Sequence, residues 1–188
     1  PSLSPLTRGR EFSVKLALFV INRRAMPLSA PNNTIAVFVD VQNVYYTCRS
    51  AFSENFDYNA LWADLSQHGE VVAAYAYAID RGDEKQRQFQ HILRAIGFEV
   101  KLKPFIQRTD GSAKGDWDVG ITIDMLASVS QADILVLVSG DGDFALLVDT
   151  LRHTHHKTVW VYGTAPLTAK ALMDAADKFI AIEAPLLL

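Results

Sequence analysis

Three short acidic segments carry the residue types in this sequence that are best suited to chemistry. The first contains Asp40 and Asn43, the second is the stretch 114–118, which reads KGDWD, and the third is the stretch 139–143, which reads SGDGD. Carboxylates held close together repel one another, so such an arrangement is costly unless cations or protons neutralise it. If the fold gathers these segments, they predict a cation site.

The ligand chemistry of these segments favours a hard divalent cation. Carboxylate oxygens without Cys or His partners select Mg²⁺ or Mn²⁺ over Zn²⁺. Such ions keep several waters, commonly contact phosphate, and can lower the pKa of a bound water while stabilising the leaving oxygen of a phosphodiester. We therefore expect metal-assisted hydrolysis. The candidate ligands are Asp40, Asp118, Asp141 and Asp143.

Apolar runs that alternate with amphipathic segments predict how these acids are positioned. The stretches 35–40 and 134–138 are continuous apolar runs, typical of strands buried on both faces. Further strands are predicted at 71–79, 98–102, 158–162 and 179–182, and helices at 58–68, 83–96, 116–130, 144–153 and 167–174. This alternation indicates an α/β fold with a parallel sheet between two helical layers. Sites in such folds form beyond the carboxyl ends of the strands, which places the acids at one edge.

Several local features follow from the same pattern. The apolar spacing predicts inward faces for two helices, formed by Phe89, Ile92, Leu93 and Ile96 and by Val119, Ile123 and Leu126. The polar stretch 107–115 is predicted to be a loop. The adjacent Tyr45 and Tyr46 are also expected in a loop, where packing in the core and stacking on a nucleic-acid base are equally good interpretations.

Each acid also has a purely structural interpretation. Asp143 could cap the helix that starts at Phe144, and Asp118 could complement the dipole of its own helix. Asp40 is harder to explain structurally, because an acid at the end of an apolar strand packs poorly. Asp124 lies six positions after Asp118, roughly 9 Å along the helix and about 120° around it. We expect Asp124 to support the ligands or face the substrate, not to share an ion with Asp118.

Charge and basic residues limit how nucleic acid could bind. The formal net charge of −3 argues against binding by bulk charge alone, although bound cations would reverse the local field. A local basic strip is one interpretation of the segment before Asp118, and an ordinary solvated loop is the other. The residues of this strip would be Lys101, Lys103, Arg108 and Lys114.

The remaining composition excludes several classes of protein. The single cysteine, Cys48, rules out an intrachain disulfide and fits a reducing compartment. No apolar run is long enough to span a bilayer, and the stretch 16–21 makes a poor signal peptide, so we expect a cytoplasmic protein. Residues 1–33 are predicted to be a flexible tail and residues 34–188 the folded domain. The histidines at 153, 155 and 156 are interpreted as surface residues, with zinc binding as the alternative.

The three acidic segments, in this order, resemble the motifs of NYN domains. The stretch 38–43, FVDVQN, resembles the family's D-x-x-N opening, and the stretch 139–144, SGDGDF, resembles its strand-to-helix turn. The stretch 114–124, KGDWDVGITID, looks like the helix entry K-G-x-D-V-x-[LI]-x-x-D, with one extra residue before Asp118. The resemblance extends from about residue 35 to residue 182.

This resemblance implies a PIN-like, Rossmann-like three-layer sandwich that binds Mg²⁺ or Mn²⁺ and cuts RNA. It assigns metal binding to the four candidate aspartates, orientation of ligands or phosphate to Asn43 and Ser139, and contact with the RNA backbone to Lys114. Arg108 and Asp124 are expected to support substrate binding. Family members often carry a further RNA-binding module, which is not expected here, so selection of the substrate would depend on a homodimer or an RNA-binding protein partner.

Three hypotheses for function compete. The leading one is a metal-dependent endoribonuclease that acts on single-stranded RNA. The alternative is a catalytically weak or inactive PIN-like module that binds RNA or a protein partner in a regulatory role. A phosphatase is weaker, because a phospho-aspartate enzyme needs a second acid two positions after Asp40, where this sequence has Gln42.

Overall fold

A six-stranded parallel sheet forms the centre of the protein in the computed structural model, which describes residues 33–80, 82–104, 106–107, 113–114 and 116–188. Its strands are β1 (Thr34–Asp40), β2 (Glu70–Asp80), β3 (Glu99–Pro104), β6 (Ile134–Val138), β7 (Thr158–Gly163) and β8 (Lys178–Ala181). Their order is β3-β2-β1-β6-β7-β8, and every neighbouring pair is parallel. The predicted fold class is confirmed. The expected tail lies outside the described residues, except for Asn33.

Helices cover both faces of this sheet, as the sequence predicts. They are α1 (Val41–Phe52), α2 (Tyr58–Ser66), α3 (Glu84–Ile96), α4 (Asp118–Ala127), α5 (Ala145–His153) and α6 (Lys170–Ala175). Side chains alternate along β1, so Val37 faces the core formed with α1, α2 and α3, whereas Phe38 faces the core formed with α4, α5 and α6. None of the described helices is long and apolar enough to cross a membrane.

The structure differs from two predictions about loops. Tyr45 and Tyr46 lie on helix α1, not in a loop, because Asp40 caps this helix directly after β1. The stretch 107–115 is not entirely irregular either. Its described parts include a short antiparallel pair formed by β4 (Ile106–Gln107) and β5 (Ala113–Lys114).

The predicted inward face of α4 is wrong. Val119 and Ile123 are largely exposed, whereas Ile121 and Met125 are fully buried against the sheet. Apolar residues lie on two faces of this helix, so the sequence permits two inward faces, and packing against β1 selects the second. Ile92 on α3 is also exposed, although its neighbour Leu93 is buried as predicted.

The register between β1 and β6 brings the first and third acidic segments together. Val39 pairs with Val138, so Asp40 and Ser139 follow at the same edge of the sheet. All five residues of β6 are buried, which anchors this edge in the core. The segment after β7 packs against the turn that follows β6, and Ala169 N–H donates to the Gly140 carbonyl (3.0 Å).

Glycines allow this close packing. A Cβ at Gly140 would lie 2.9 Å from the Leu167 carbonyl oxygen, and one at Gly142 would lie 2.8 Å from Ala169 Cβ. At Gly163, a Cβ would clash with Oγ1 of the buried Thr168. At Gly140 and Gly142, the absent side chains therefore make room for the chain itself.

We predict that Gly163→Ala lowers the free energy of unfolding by about 1–3 kcal/mol, because the added methyl group overpacks a closed site. The same substitution in a Thr168→Ala background should cost less, since the clashing Oγ1 is then absent. Denaturant unfolding of the four proteins measures both effects. Equal costs in the two backgrounds would contradict the packing described here.

Candidate functional site

Asp40 is the residue at which the sheet edge and helix α1 meet. It ends β1, and its Oδ1 caps α1 by accepting a hydrogen bond from Asn43 N–H (3.1 Å). Burial, together with the carboxylates of Asp118 and Asp141, raises the pKa of Asp40 to about 6, although the capping bond from Asn43 opposes this rise. Asp40 therefore has both the structural role of a cap and the electrostatic environment of a crowded acidic site.

The turn after β6 presents two more carboxylates. Asp141 Oδ1 accepts a hydrogen bond from Asp143 N–H (3.0 Å) and so caps the short 3-10 turn Gly142–Phe144. The capping role that the sequence suggests for Asp143 therefore belongs to Asp141, and Asp143 is exposed to solvent. Ser139 is fully buried, and its hydroxyl accepts a hydrogen bond from Asp141 N–H (3.3 Å). Ser139 thus fixes the backbone that carries Asp141.

Asn43 connects the first and third acidic segments. Its Oδ1 accepts a hydrogen bond from Gly140 N–H (2.9 Å), while its own N–H donates to Asp40. The side-chain and backbone amides of this one residue therefore hold the end of β1 and the turn after β6 in a fixed relation. In this structure, Asn43 and Ser139 act on the protein backbone around the carboxylates.

Asp118 brings the second segment to the same edge. It is the first residue of α4 and is half-buried. Burial raises the pKa of Asp118, as do the carboxylates of Asp116, Asp141 and Asp143, while Lys103 lowers it. Sequence reasoning gave no role to Asp116, although its place two residues before Asp118 is a signal that could have identified it.

Trp117 holds the start of α4 against the sheet. Its Nε1–H donates to the Ala78 carbonyl at the end of β2 (2.9 Å), and its ring contacts that of Tyr77 edge to face. The indole therefore fixes where Asp118 lies relative to the carboxyl ends of the strands. Compared with the family motif, this sequence has one extra residue between Gly115 and Asp118, and that residue lies in the segment that Trp117 anchors.

The four candidate carboxylates lack cationic partners in the part of the chain that the structure describes. None of them forms an ion pair with a described Lys, Arg or His side chain. Within the same residues, no three Asp, Glu, His or Cys side chains are already arranged as the ligands of one metal ion. The carboxylates influence one another electrostatically without forming a closed cage.

The other candidate residues are engaged in contacts within the protein or lie outside the described residues. Asp124 accepts hydrogen bonds from Tyr77 Oη and Lys101 Nζ, both at 2.7 Å, so its charge is matched inside the fold. Lys103 Nζ donates to the Asp116 carbonyl (2.7 Å) and lies over the Trp117 ring. Arg108 and the side chain of Lys114 lie outside the described residues. Two residues of the expected basic strip thus stabilise the protein itself.

The histidines at the end of α5 are surface residues, as predicted. His153, His155 and His156 are exposed, and His153 Nε2 lies 4.0 Å from Asp149 on the same helix. Cys48 is fully buried, with its sulfur 3.8 Å from Thr164 Oγ1, and burial raises the pKa of its thiol. A buried thiol with a raised pKa is a poor nucleophile.

The fold defines a nuclease-like, PIN-like α/β domain. The chain belongs to the NYN domain family, whose family model matches residues 34–183, and the resemblance seen in the sequence motifs is confirmed. This family is generally one of nucleases. The match includes all three acidic segments.

Two proteins illustrate the similarity. LabA, the low amplitude and bright protein of Synechococcus elongatus, is 32% identical over 159 residues, which cover 78% of this chain and 82% of LabA. A crystal structure of a protein of unknown function from Vibrio parahaemolyticus is 56% identical and superposes with a TM-score of 0.80. That comparison covers 87% of this chain and all of the Vibrio chain.

We predict that Asp40 makes stability depend on pH in the absence of metal. Its pKa rises from 3.8 to about 6 on folding, so the folded state binds the proton more tightly. The resulting stabilisation is full below about pH 4 and is lost as the pH rises through about 6. The difference in unfolding free energy between wild type and Asp40→Asn, measured with chelator, should change over this window. A constant difference would show that the carboxyl group is not perturbed.

Proposed function

We propose that this protein is a divalent-metal-dependent ribonuclease that hydrolyses phosphodiester bonds of single-stranded RNA at the carboxyl edge of its sheet. The observation that carries the proposal is that carboxylates from three separate segments meet there: Asp118 and Asp141 both raise the pKa of Asp40, and Asp141 also raises that of Asp118. Carboxylates that repel one another at the ligand-binding edge of an α/β sheet favour a cation there.

The donor set fits Mg²⁺ or Mn²⁺. Asp40, Asp118, Asp141 and Asp143 offer hard oxygen atoms, and no sulfur or imidazole ligand accompanies them in the described part of this edge. A carboxylate has about four lone-pair sites, so a capping bond to one oxygen leaves capacity for a cation. Mg²⁺ commonly uses one or two carboxylates, with waters and a substrate phosphate completing its shell. A closed cage of three protein ligands is therefore not required.

When bound, the ion would supply an activated water and stabilise negative charge at the reacting phosphate. The protein's own contribution is position. The ion would be held at the carboxyl edge of the sheet by carboxylate oxygens from Asp40, Asp118, Asp141 and Asp143. Asn43 and Ser139 keep the turn after β6 in place, because their oxygens accept from Gly140 N–H and Asp141 N–H.

Contacts to the RNA backbone are proposed for Arg108 and Lys114. Lys101 and Lys103 are less suited to this role because both are engaged within the protein. Asp124 would act only indirectly, since it balances Lys101 and accepts from Tyr77. Selection of RNA by a homodimer or a protein partner, and a cytoplasmic location, stay predictions from the sequence.

One observation favours a second function, a catalytically weak or inactive module that binds RNA or a protein partner. Asp40 and Asp141 both cap backbone N–H groups, so both have a structural use that does not require catalysis. The two functions differ in turnover. A catalytic protein must cleave RNA in a metal-dependent way, whereas a binding module need only retain it.

We predict that Asp141→Asn reduces metal-dependent cleavage of single-stranded RNA by about 100-fold or more. The amide keeps the shape and an oxygen that can cap Asp143 N–H, so the fold should survive while a negative ligand is lost. Asp149→Asn, at an exposed position on α5, is the matched control and should cleave RNA like the wild type. Absence of metal-dependent cleavage by contaminant-free wild type, or equal cleavage by Asp141→Asn, would contradict the catalytic proposal and favour the binding module.

A further inference from the structure

A groove of about 520 Å³ opens beside the acidic edge, between helices α1 and α3. We call it the tyrosine groove, and its lining includes Gln42, Tyr45, Tyr46, Asn59, Phe89 and Ile92. Its volume is within the range of about 300–1,000 Å³ that is usual for small-ligand sites. The groove therefore has room for a ring-sized group.

The groove exposes apolar side chains that would favour a partner. Tyr45 and Tyr46 are each 52% exposed, with their ring centroids 5.4 Å apart in an edge-to-face arrangement, and Ile92 is 55% exposed. Exposed apolar groups that line a shared concave surface mark ligand sites more often than isolated ones do. Aromatic faces at such a site can stack on flat rings.

The tyrosine groove is continuous with the acidic edge. Val41 and Gln42 line it and directly follow Asp40 in the chain. Ala78 lines its other side, and the Ala78 carbonyl accepts the hydrogen bond from Trp117, the neighbour of Asp118. A strand of RNA whose phosphate lies at the carboxylates would thus have the groove within reach of an adjacent nucleotide.

The charges of the groove favour an uncharged occupant. Asp57, Asp83 and Lys85 line it, and both carboxylates serve as helix caps, accepting from backbone N–H groups of α2 and α3. Two carboxylates against one cation leave the groove with a net negative charge, which opposes a phosphate. The amide side chains of Gln42, Asn55 and Asn59 supply donors and acceptors at the rim, which suit the polar edge of a heterocycle.

We propose that the tyrosine groove binds a nucleobase of the RNA, from the nucleotide adjacent to the phosphate at the acidic edge. The proposal rests on the proposed function for the identity of the substrate. Tyr45, Tyr46 and Phe89 provide the aromatic surface for the base, and the amides contact its edge. Stacking of this kind tolerates any base, so the groove sets the position of the strand and does not read its sequence.

Binding of fluorescently labelled single-stranded RNA, measured by anisotropy with Ca²⁺ and separately with chelator, tests this proposal without cleavage. Tyr45→Ala/Tyr46→Ala should bind between about five-fold and about 100-fold more weakly, as expected when stacking of one base is lost. Tyr45→Phe/Tyr46→Phe keeps both rings and should bind within about two-fold of wild type. Ile92→Ser should weaken binding, whereas Val72→Ser, an exposed position on β2 outside the groove, should not.

An RNA of the same length that lacks its bases makes the test specific. Wild type should bind this abasic strand more weakly, and the alanine double variant should then bind it as well as wild type does, because the interaction is already absent. Equal losses on normal and abasic RNA, or no loss on normal RNA, would overturn the proposal. A wild-type dimer that the alanine variant dissociates would assign the groove to a second copy and also overturn it.

Cleavage assays keep this result separate from the proposed function. If the wild type cleaves RNA in a metal-dependent way and the groove substitutions change neither binding nor cleavage, the proposed ribonuclease function stands and the proposed base site is wrong. If the groove variants lose RNA binding but the wild type never cleaves RNA, the proposed base site stands and the proposed catalytic function is wrong.

Discussion

The hydrogen-bond register between β1 and β6 determines which side chains meet at the functional edge. Both strands are buried on both faces, so a shift of one residue would move every side chain to the opposite core. With Val39 opposite Val138, Asp40 must lie beside the turn that carries Asp141. The bond from Gly140 N–H to Asn43 then fixes that turn relative to α1. The position of the acids is therefore a consequence of the core.

The same acids serve the fold and, on our proposal, the chemistry. Asp40 and Asp141 cap backbone N–H groups where a strand gives way to a helix or a turn, which offsets part of the cost of burying charge. Burial, together with repulsion from the carboxylates of Asp118 and Asp141, nevertheless keeps the pKa of Asp40 high. A cation would relieve this repulsion without changing the caps. The structural and functional interpretations of these residues are thus compatible.

The sequence predicts the strands and the acidic edge better than it predicts the helix surfaces. A short continuous apolar run such as β6 is best accommodated as a strand buried on both faces. Helix α4 carries apolar residues on two faces, so spacing alone could not decide that Ile121 is buried and Ile123 exposed. The sequence pattern does not predict helix α1, because polar residues obscure its helical apolar spacing. The helix begins where the Asp40 side chain caps it. The tyrosine groove needs α1 and α3 side by side, which no local pattern encodes.

Calorimetric titration with Mn²⁺ tests most directly whether acids from separate segments share one cation. The account predicts that wild type and the control Asp149→Asn bind Mn²⁺ alike. Asp40→Asn and Asp118→Asn, which remove carboxylates from different segments, should each weaken binding by about ten-fold or more. Failure of the wild type to bind at millimolar Mn²⁺, or wild-type affinity in both variants, would contradict a shared metal site.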